Sequence, residues 1–227
     1  MKKSALLLAL ACAFFTQARA DQTNLIPSGD LSDKTNPMKG VRTDFPYEPW
    51  YVKNVGYVKI ATDKKAKNGG NCLVVELPPG IAGNEGGKVE TVFVKCEPGA
   101  SYRAEIDVMT NDFGAKVHAE AWLPDPRPTE KRDKFRTPAL EQYGVPALVM
   151  VYRRQFHDAP GGSKTWTTLT QEITVPKTVK VNMKGVQGAS STWQEVPPQY
   201  LTLKVVFFAG TPNGGKSYVS NFRLYKK

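Results

Sequence analysis

The stretch Tyr102-Arg103-Ala104-Glu105-Ile106-Asp107-Val108-Met109, with its continuation Lys116-Val117-His118-Ala119-Glu120-Ala121-Trp122-Leu123, decides how this chain folds. In the first half Tyr102, Ala104, Ile106 and Val108 alternate with Arg103, Glu105, Asp107 and Met109. In the second Val117, Ala119, Ala121 and Leu123 alternate with Lys116, His118, Glu120 and Trp122. A period of two gives each half one apolar and one polar face, the mark of a half-buried strand. The turn-forming run Thr110-Asn111-Asp112-Phe113-Gly114 between them predicts a hairpin. With Val108 opposite Val117, Asp107 stands beside His118, Glu105 beside Glu120 and Arg103 beside Trp122, a dense polar patch on one sheet surface.

Outward from this pair, further strands are predicted over 55–61, 72–77, 88–96, 147–157, 165–175, 200–209 and 216–225, with a weaker one over 179–183. Turn-rich pieces such as Lys67-Asn68-Gly69-Gly70-Asn71 and Pro78-Pro79-Gly80 separate them. No sustained amphipathic helix, heptad or internal repeat interrupts the series. Short strands in this number with Gly, Pro and Asn turns predict an all-β fold, a β-sandwich or jelly roll of two antiparallel sheets. After Pro124-Asp125-Pro126-Arg127-Pro128 a charged insertion runs to about residue 146.

Lys2 and Lys3, the apolar run over 5–15 and Ala18-Arg19-Ala20 have the layout of a signal peptide over residues 1–20, which predicts export of a single domain over 21–227. No later apolar run is long enough to cross a bilayer, so membrane insertion is not expected. The net charge is +10, of which Lys2, Lys3 and Arg19 of the leader carry three units. A basic balance favours acidic partners such as uronic or sulfated glycans, or serves solubility alone. Nucleic acid is a poorer match, because no nucleic-acid motif is present. Cys72 and Cys96 lie at the ends of two strand-like segments. Antiparallel pairing of those segments would bring the thiols together, and an exported chain is expected to oxidise them to a disulfide.

The order of motifs resembles the carbohydrate-binding modules of families 4 and 9, the cellulase-type modules with a galactose-binding-like jelly roll. Asn24-Leu25-Ile26-Pro27-Ser28-Gly29-Asp30-Leu31 is similar to that family's opening, and Pro98-Gly99-Ala100-Ser101-Tyr102 to its turn entering a strand. Thr165-Trp166-Thr167-Thr168-Leu169, followed by Ile173-Thr174-Val175-Pro176, is similar to its Trp-bearing segment. Ser217-Tyr218-Val219-Ser220-Asn221-Phe222-Arg223-Leu224 is similar to its closing strand. The resemblance implies noncatalytic binding of a polysaccharide on a sheet face or loop rim, with no cofactor required. It also brings the option of a structural calcium, for which Asp30 and Asp33 are the candidate ligands; Ser220 and Asn221 stand where the family carries acidic residues.

Sugars are held by aromatic rings against their C–H faces and by planar polar side chains on their hydroxyls. Trp122 is the leading platform, with Glu120, His118, Arg103, Glu105 and Asp107 as polar partners. In the strand that follows the insertion, Tyr152 and Arg154 extend this surface if Val149 and Val151 face the core; in the opposite parity Arg153 and Gln155 do so. Trp50 and Trp193 fit either a structural or a binding role, and Lys131, Arg132, Lys134 and Arg136 form a basic cluster suited to an acidic ligand. Two other classes compete. Glu105 opposite Glu120 would suit a retaining glycosidase, whose carboxyl groups lie about 5–5.5 Å apart, and His118 with Arg103 would suit a lyase acting on a uronate. No established catalytic signature accompanies them. An envelope protein that binds another protein is the third reading.

Overall fold

The computed structural model describes residues 23–42, 57–79, 86–127, 147–183, 193–208 and 213–227. Its elements are strands: β1 (Val41–Arg42), β2 (Val58–Ile60), β3 (Leu73–Leu77), β4 (Gly86–Thr91), β5 (Val94–Lys95), β6 (Ser101–Met109), β7 (Gly114–Pro124), β8 (Leu148–Ala159), β9 (Thr167–Thr174), β10 (Val179–Asn182), β11 (Trp193–Val196), β12 (Tyr200–Phe208) and β13 (Gly215–Lys226). One sheet has the order β1-β4-β12-β7-β8, with β5 also on β12; the other has the order β2-β3-β13-β6-β9; β10 and β11 form a separate ribbon. Every pairing is antiparallel. The protein is an all-β sandwich, as the alternation predicts.

The core lies between the two sheets and is built from the inward set of each alternating strand. Ala104, Ile106 and Val108 of β6 meet Val117, Ala119 and Ala121 of β7 in one cluster with Leu201, Leu203, Val205 and Phe207 of β12 and Val219, Phe222 and Leu224 of β13. Each is 2% exposed or less. Burial of so many Val, Leu, Ile and Phe side chains, worth about 1.5–3 kcal/mol each, is what the alternation supplies to stability.

The expected hairpin is a correction. β6 and β7 do not pair: β6 runs between β13 and β9, whereas β7 runs between β12 and β8. The run 110–113 carries the chain from one sheet to the other. Two alternating strands joined by a short turn share an apolar face whether they lie side by side or face each other across the core, so periodicity alone does not distinguish the cases. The consequence is that Arg103, Glu105 and Asp107 lie on the outer face of one sheet and His118, Glu120 and Trp122 on the outer face of the other.

The expected disulfide is likewise corrected. Cys72 and Cys96 are both free. Cys72 leads into β3, which pairs with β2 and β13, and Cys96 follows β5, which pairs with β12, so their segments belong to different sheets. Burial pushes both thiols up to about 11, which makes them poor nucleophiles at neutral pH.

The opening and closing motifs are laced together. Asn24 Nδ2 donates to Phe222 O at 3.0 Å, while Asn24 Oδ1 accepts from Leu224 N at 2.9 Å and Ile26 N at 3.1 Å. Phe222 N donates to Gly29 O at 2.8 Å. A Cβ on Gly29 would sit 2.0 Å from Phe222 O, so only glycine permits this approach. At the entry to β6, Gly99 has φ +79° and the Tyr102 hydroxyl accepts from Glu97 N at 2.8 Å, which explains the spacing of that turn motif. The signal peptide expected over 1–20, Trp50, the charged insertion beyond residue 127 and its basic cluster fall outside the described residues.

Candidate functional site

The outer face of the five-stranded sheet carries the first half of the expected patch. Asp107, 2% exposed, accepts from Thr168 Oγ1 at 2.7 Å and Asn221 Nδ2 at 2.6 Å, and pairs with Arg223 Nη2 at 3.2 Å. Glu105 pairs with Arg103 at 2.6 Å and with Arg223 Nε at 3.1 Å. Asn221, held at φ 52° where β13 is irregular, also accepts from Asn68 at 3.3 Å. The acceptors of Asp107 and Glu105 are thus occupied by side chains of β6, β9 and β13. This is a cross-strand network that fixes the sheet surface.

The outer face of the six-stranded sheet is different. Register sets Lys204 between Glu90 and His118, and Thr202 beside Glu120. On β8 two irregularities shift the phase, so that Arg153 is opposite Glu120 and Gln155 opposite His118. A row of polar side chains therefore crosses β1, β4, β12, β7 and β8. Glu120, fully buried, receives Lys204 Nζ at 2.8 Å and Arg153 Nε at 2.7 Å on Oε1. Its Oε2 is buried and has no hydrogen-bond partner, and His118 Nδ1 is in the same condition. Arg42 pairs with Glu90 at 2.8 Å, and Glu90 Oε1 accepts from Thr202 Oγ1 at 2.6 Å.

Electrostatics single out the same row. Burial, aided by the neighbouring Lys204 charge, pulls Lys88 down to about 6. Burial, with the Arg153 and Lys204 charges, pulls His118 down to about 4. His118 is consequently a neutral imidazole at pH 7, one nitrogen donating and the other accepting, which suits a hydroxyl partner. Two bases depressed by burial mark this face as strongly desolvated.

Trp122 corrects the expected platform. It is 1% exposed, donates from its indole N–H to Thr202 Oγ1 at 3.0 Å, and meets Phe93 edge-on with ring centroids 5.4 Å apart. Phe93 in turn meets Tyr200 edge-on and lies under the Arg42 guanidinium, 4.5 Å from its ring centroid. Trp122 is the floor of an aromatic cluster whose half-buried members are Phe93 and Tyr200. The Glu105–Glu120 pair required by the glycosidase reading does not exist, because the two carboxylates belong to separate sheets.

The parity of β8 is also resolved. Tyr152, opposite Ala121, packs against the core, and Arg154 is opposite Ala119 with the same inward phase, exposed at the sheet edge. Arg153 and Gln155 are the pair that joins His118 and Glu120. Trp193 opens β11 with 54% exposure, the one large hydrophobic side chain so exposed among the described residues. Asp30 Oδ1 is engaged by Ser32 and Asp33 Oδ1 by Thr35 and Asn36, all within the opening turns. Among the described residues no three His, Cys, Asp or Glu side chains converge as a metal site requires. No helix there is long and apolar enough to cross a membrane.

Arg42, Lys88, Glu90, Thr202 and Lys204 are site residues that the sequence reading passed over. Their signal is visible in hindsight: Thr202 and Lys204 alternate with Leu201, Leu203 and Val205, and Lys88 and Glu90 flank Val89. A lysine in an otherwise apolar strand keeps the outward phase of the strand.

An all-β sandwich with a buried charged row and an aromatic cluster on one outer face is the class of protein so defined. No family model matches the chain, and no curated protein matches it by sequence. Among solved structures it is similar to a family 61 carbohydrate-binding module in complex with β-1,4-galactotriose, at 14% identity and TM-score 0.44, covering 90% of this chain and 99% of that one. It is similar to a family 16 carbohydrate-binding module at 14% identity and TM-score 0.44, covering 88% and 99%. An arabinose-bound α-L-arabinofuranosidase matches at 10% identity and TM-score 0.49, covering 90% of this chain but only 26% of the enzyme.

Proposed function

We propose that this is an exported, noncatalytic polysaccharide-binding protein whose glycan lies on the outer face of the six-stranded sheet. The observation that carries the reading is the row His118, Gln155 and Arg153 standing over the Glu120–Lys204 ion pair, beside Phe93 and Tyr200. Planar polar groups fixed from behind, next to aromatic edges, are what orients a sugar by its hydroxyls. Arg153 is exposed at its outer end and anchored at Nε by Glu120, so it meets ligand with little rotamer freedom left to lose. With Lys88 largely neutral at pH 7, Arg42, Arg153 and Lys204 still outnumber Glu90 and Glu120 on this face by one charge, which favours a glycan bearing carboxylate or sulfate groups. The signal-peptide layout of residues 1–20 supports export, and the order of the four motifs supports carbohydrate as the ligand class.

Electrophoresis through gels containing neutral or acidic polysaccharides, with reducing ends assayed in the same lanes, tests both halves of this. Retardation in at least one acidic gel without release of reducing ends is expected. Release of reducing ends would make the protein an enzyme and overturn the noncatalytic reading.

A further inference from the structure

A concave surface lies away from the charged row, where the β3 end, the β6–β7 crossing and the start of β13 come together. It is an open hollow of about 600 Å³ lined by Tyr57, Glu76, Pro78, Pro79, Asp112 and Lys216, with Asn213 at its rim. That volume falls within the range of small-molecule sites, about 300–1,000 Å³.

Its walls are set by backbone contacts. Gly214, at φ +74°, passes so close to β3 that a Cβ there would sit 2.5 Å from Leu77 O and 2.9 Å from Pro79 N. A Cβ on Gly215 would sit 2.5 Å from the Asp112 Cβ. Asp112 exchanges with Lys216 on both sides, Asp112 N donating to Lys216 O at 3.0 Å and Lys216 N to Asp112 Oδ2 at 2.7 Å. Tyr57 is held by its own carbonyl, which accepts from Glu76 N at 2.8 Å. Two prolines fix the opposite wall, since their φ angles are locked. The hollow is preformed, which lowers the ordering cost of binding.

Its chemistry differs from that of the charged face. Tyr57, Pro78 and Pro79 give apolar walls. Glu76 is paired with Lys59 at 3.1 Å and Lys216 at 3.3 Å, and Lys216 also with Asp63 at 3.8 Å, so with Asp112 the hollow carries no excess of cations. Asn213 is exposed and supplies both amide donors and an acceptor. A phenol ring and two prolines without a cationic excess fit uncharged hydroxyl-bearing rings better than an anion.

We infer that this hollow is a second carbohydrate site, taking a short neutral oligosaccharide, separate from the anionic glycan of the sheet face. It does not depend on the sheet-face reading. The test is a titration of the full-length isotopically labelled protein, cleaved or not, with cellotetraose, β-1,4-galactotriose and trigalacturonate in turn, followed by backbone amide shifts. Saturable shifts of the amides of residues 76, 77, 112, 113, 215 and 216 with at least one neutral probe, lost in Tyr57→Ala while the remaining spectrum stays folded, are expected. No saturable shift of these amides with either neutral probe overturns the inference, whatever happens on the sheet face. Shifts there with trigalacturonate alone overturn it equally, because they would make the hollow an anion site. If Tyr57→Ala does not fold, Asn213→Ala, at an exposed rim position, is titrated in its place with the same expected loss. Movement of the amides of 118, 153 and 155 with trigalacturonate reports on the sheet face, so each reading fails on its own resonances.

Discussion

Lys88 is a lysine buried to 2% exposure on the six-stranded sheet. Its amine has a folded pKa of about 6 against an ordinary value near 10.5, mainly through burial. Between these values the unfolded chain binds a proton that the folded chain lacks, so this group makes stability rise with pH from about 6 toward 10 and leaves it lowest below 6. Lys88→Met removes that slope. Urea midpoints measured from pH 6 to 9 are expected to climb more steeply in the wild type than in Lys88→Met; parallel curves would contradict the burial described for the amine. His118 follows the same sign in a lower window. With its folded value near 4 and an ordinary value of 6.5, it contributes a loss of stability as pH falls from about 6.5 toward 4, and His118→Gln is expected to flatten that part of the curve. Trp122→Ala makes a different kind of change. Removing a fully buried indole that bonds Thr202 and packs on Phe93 is expected to destabilise by about 3–5 kcal/mol, read by denaturant titration. A loss under 1 kcal/mol would mean that the ring is not the floor of its cluster.

At the scale of elements, alternation identified the strands and their inward residues, because one period of two dictates both. Ile106 and Val108, Val117 and Ala119 are in the core as their spacing requires. What alternation does not encode is the partner of each strand. β6 and β7 are consecutive, alternate perfectly and yet lie in opposite sheets, so a patch assembled from both was divided between two faces. The phase of β8 was hidden for a related reason: irregularities between Val117 and His118, and between Ala121 and Trp122, move Arg153 and Gln155 outward. Such bulges add a residue without any compositional mark. The clasp between the ends was legible only as motif spelling, and the structure supplies its cause in the Asn24 side chain and the Gly29 approach to β13. Gly29→Ala is expected to lower the thermal midpoint clearly, since the Cβ would meet a backbone oxygen at 2.0 Å that has no room to yield. An unchanged midpoint would place the clasp outside the folded core.

At the scale of the molecule, two outer faces made by the same alternation have unlike electrostatics. On the five-stranded sheet the carboxylates of Glu105 and Asp107 are taken up by Arg103 and Arg223, although the Nε of each arginine is buried without a hydrogen-bond partner. On the six-stranded sheet Glu120 Oε2 and His118 Nδ1 have no hydrogen-bond partner despite their burial. An unmade hydrogen bond in such a place costs about 1–3 kcal/mol, so these two atoms weigh against stability on this face. Net charge is a property of the whole sequence and does not show which face carries an excess. The most direct measurement is the mobility of wild type beside the Arg153→Ala, Gln155→Ala double variant in gels containing an acidic polysaccharide, at two salt concentrations. Both positions are exposed, so the variant is expected to fold. Retardation of the wild type that weakens with salt and is lost in the variant is the predicted result; equal retardation of the two proteins would contradict the assignment of the glycan to this face.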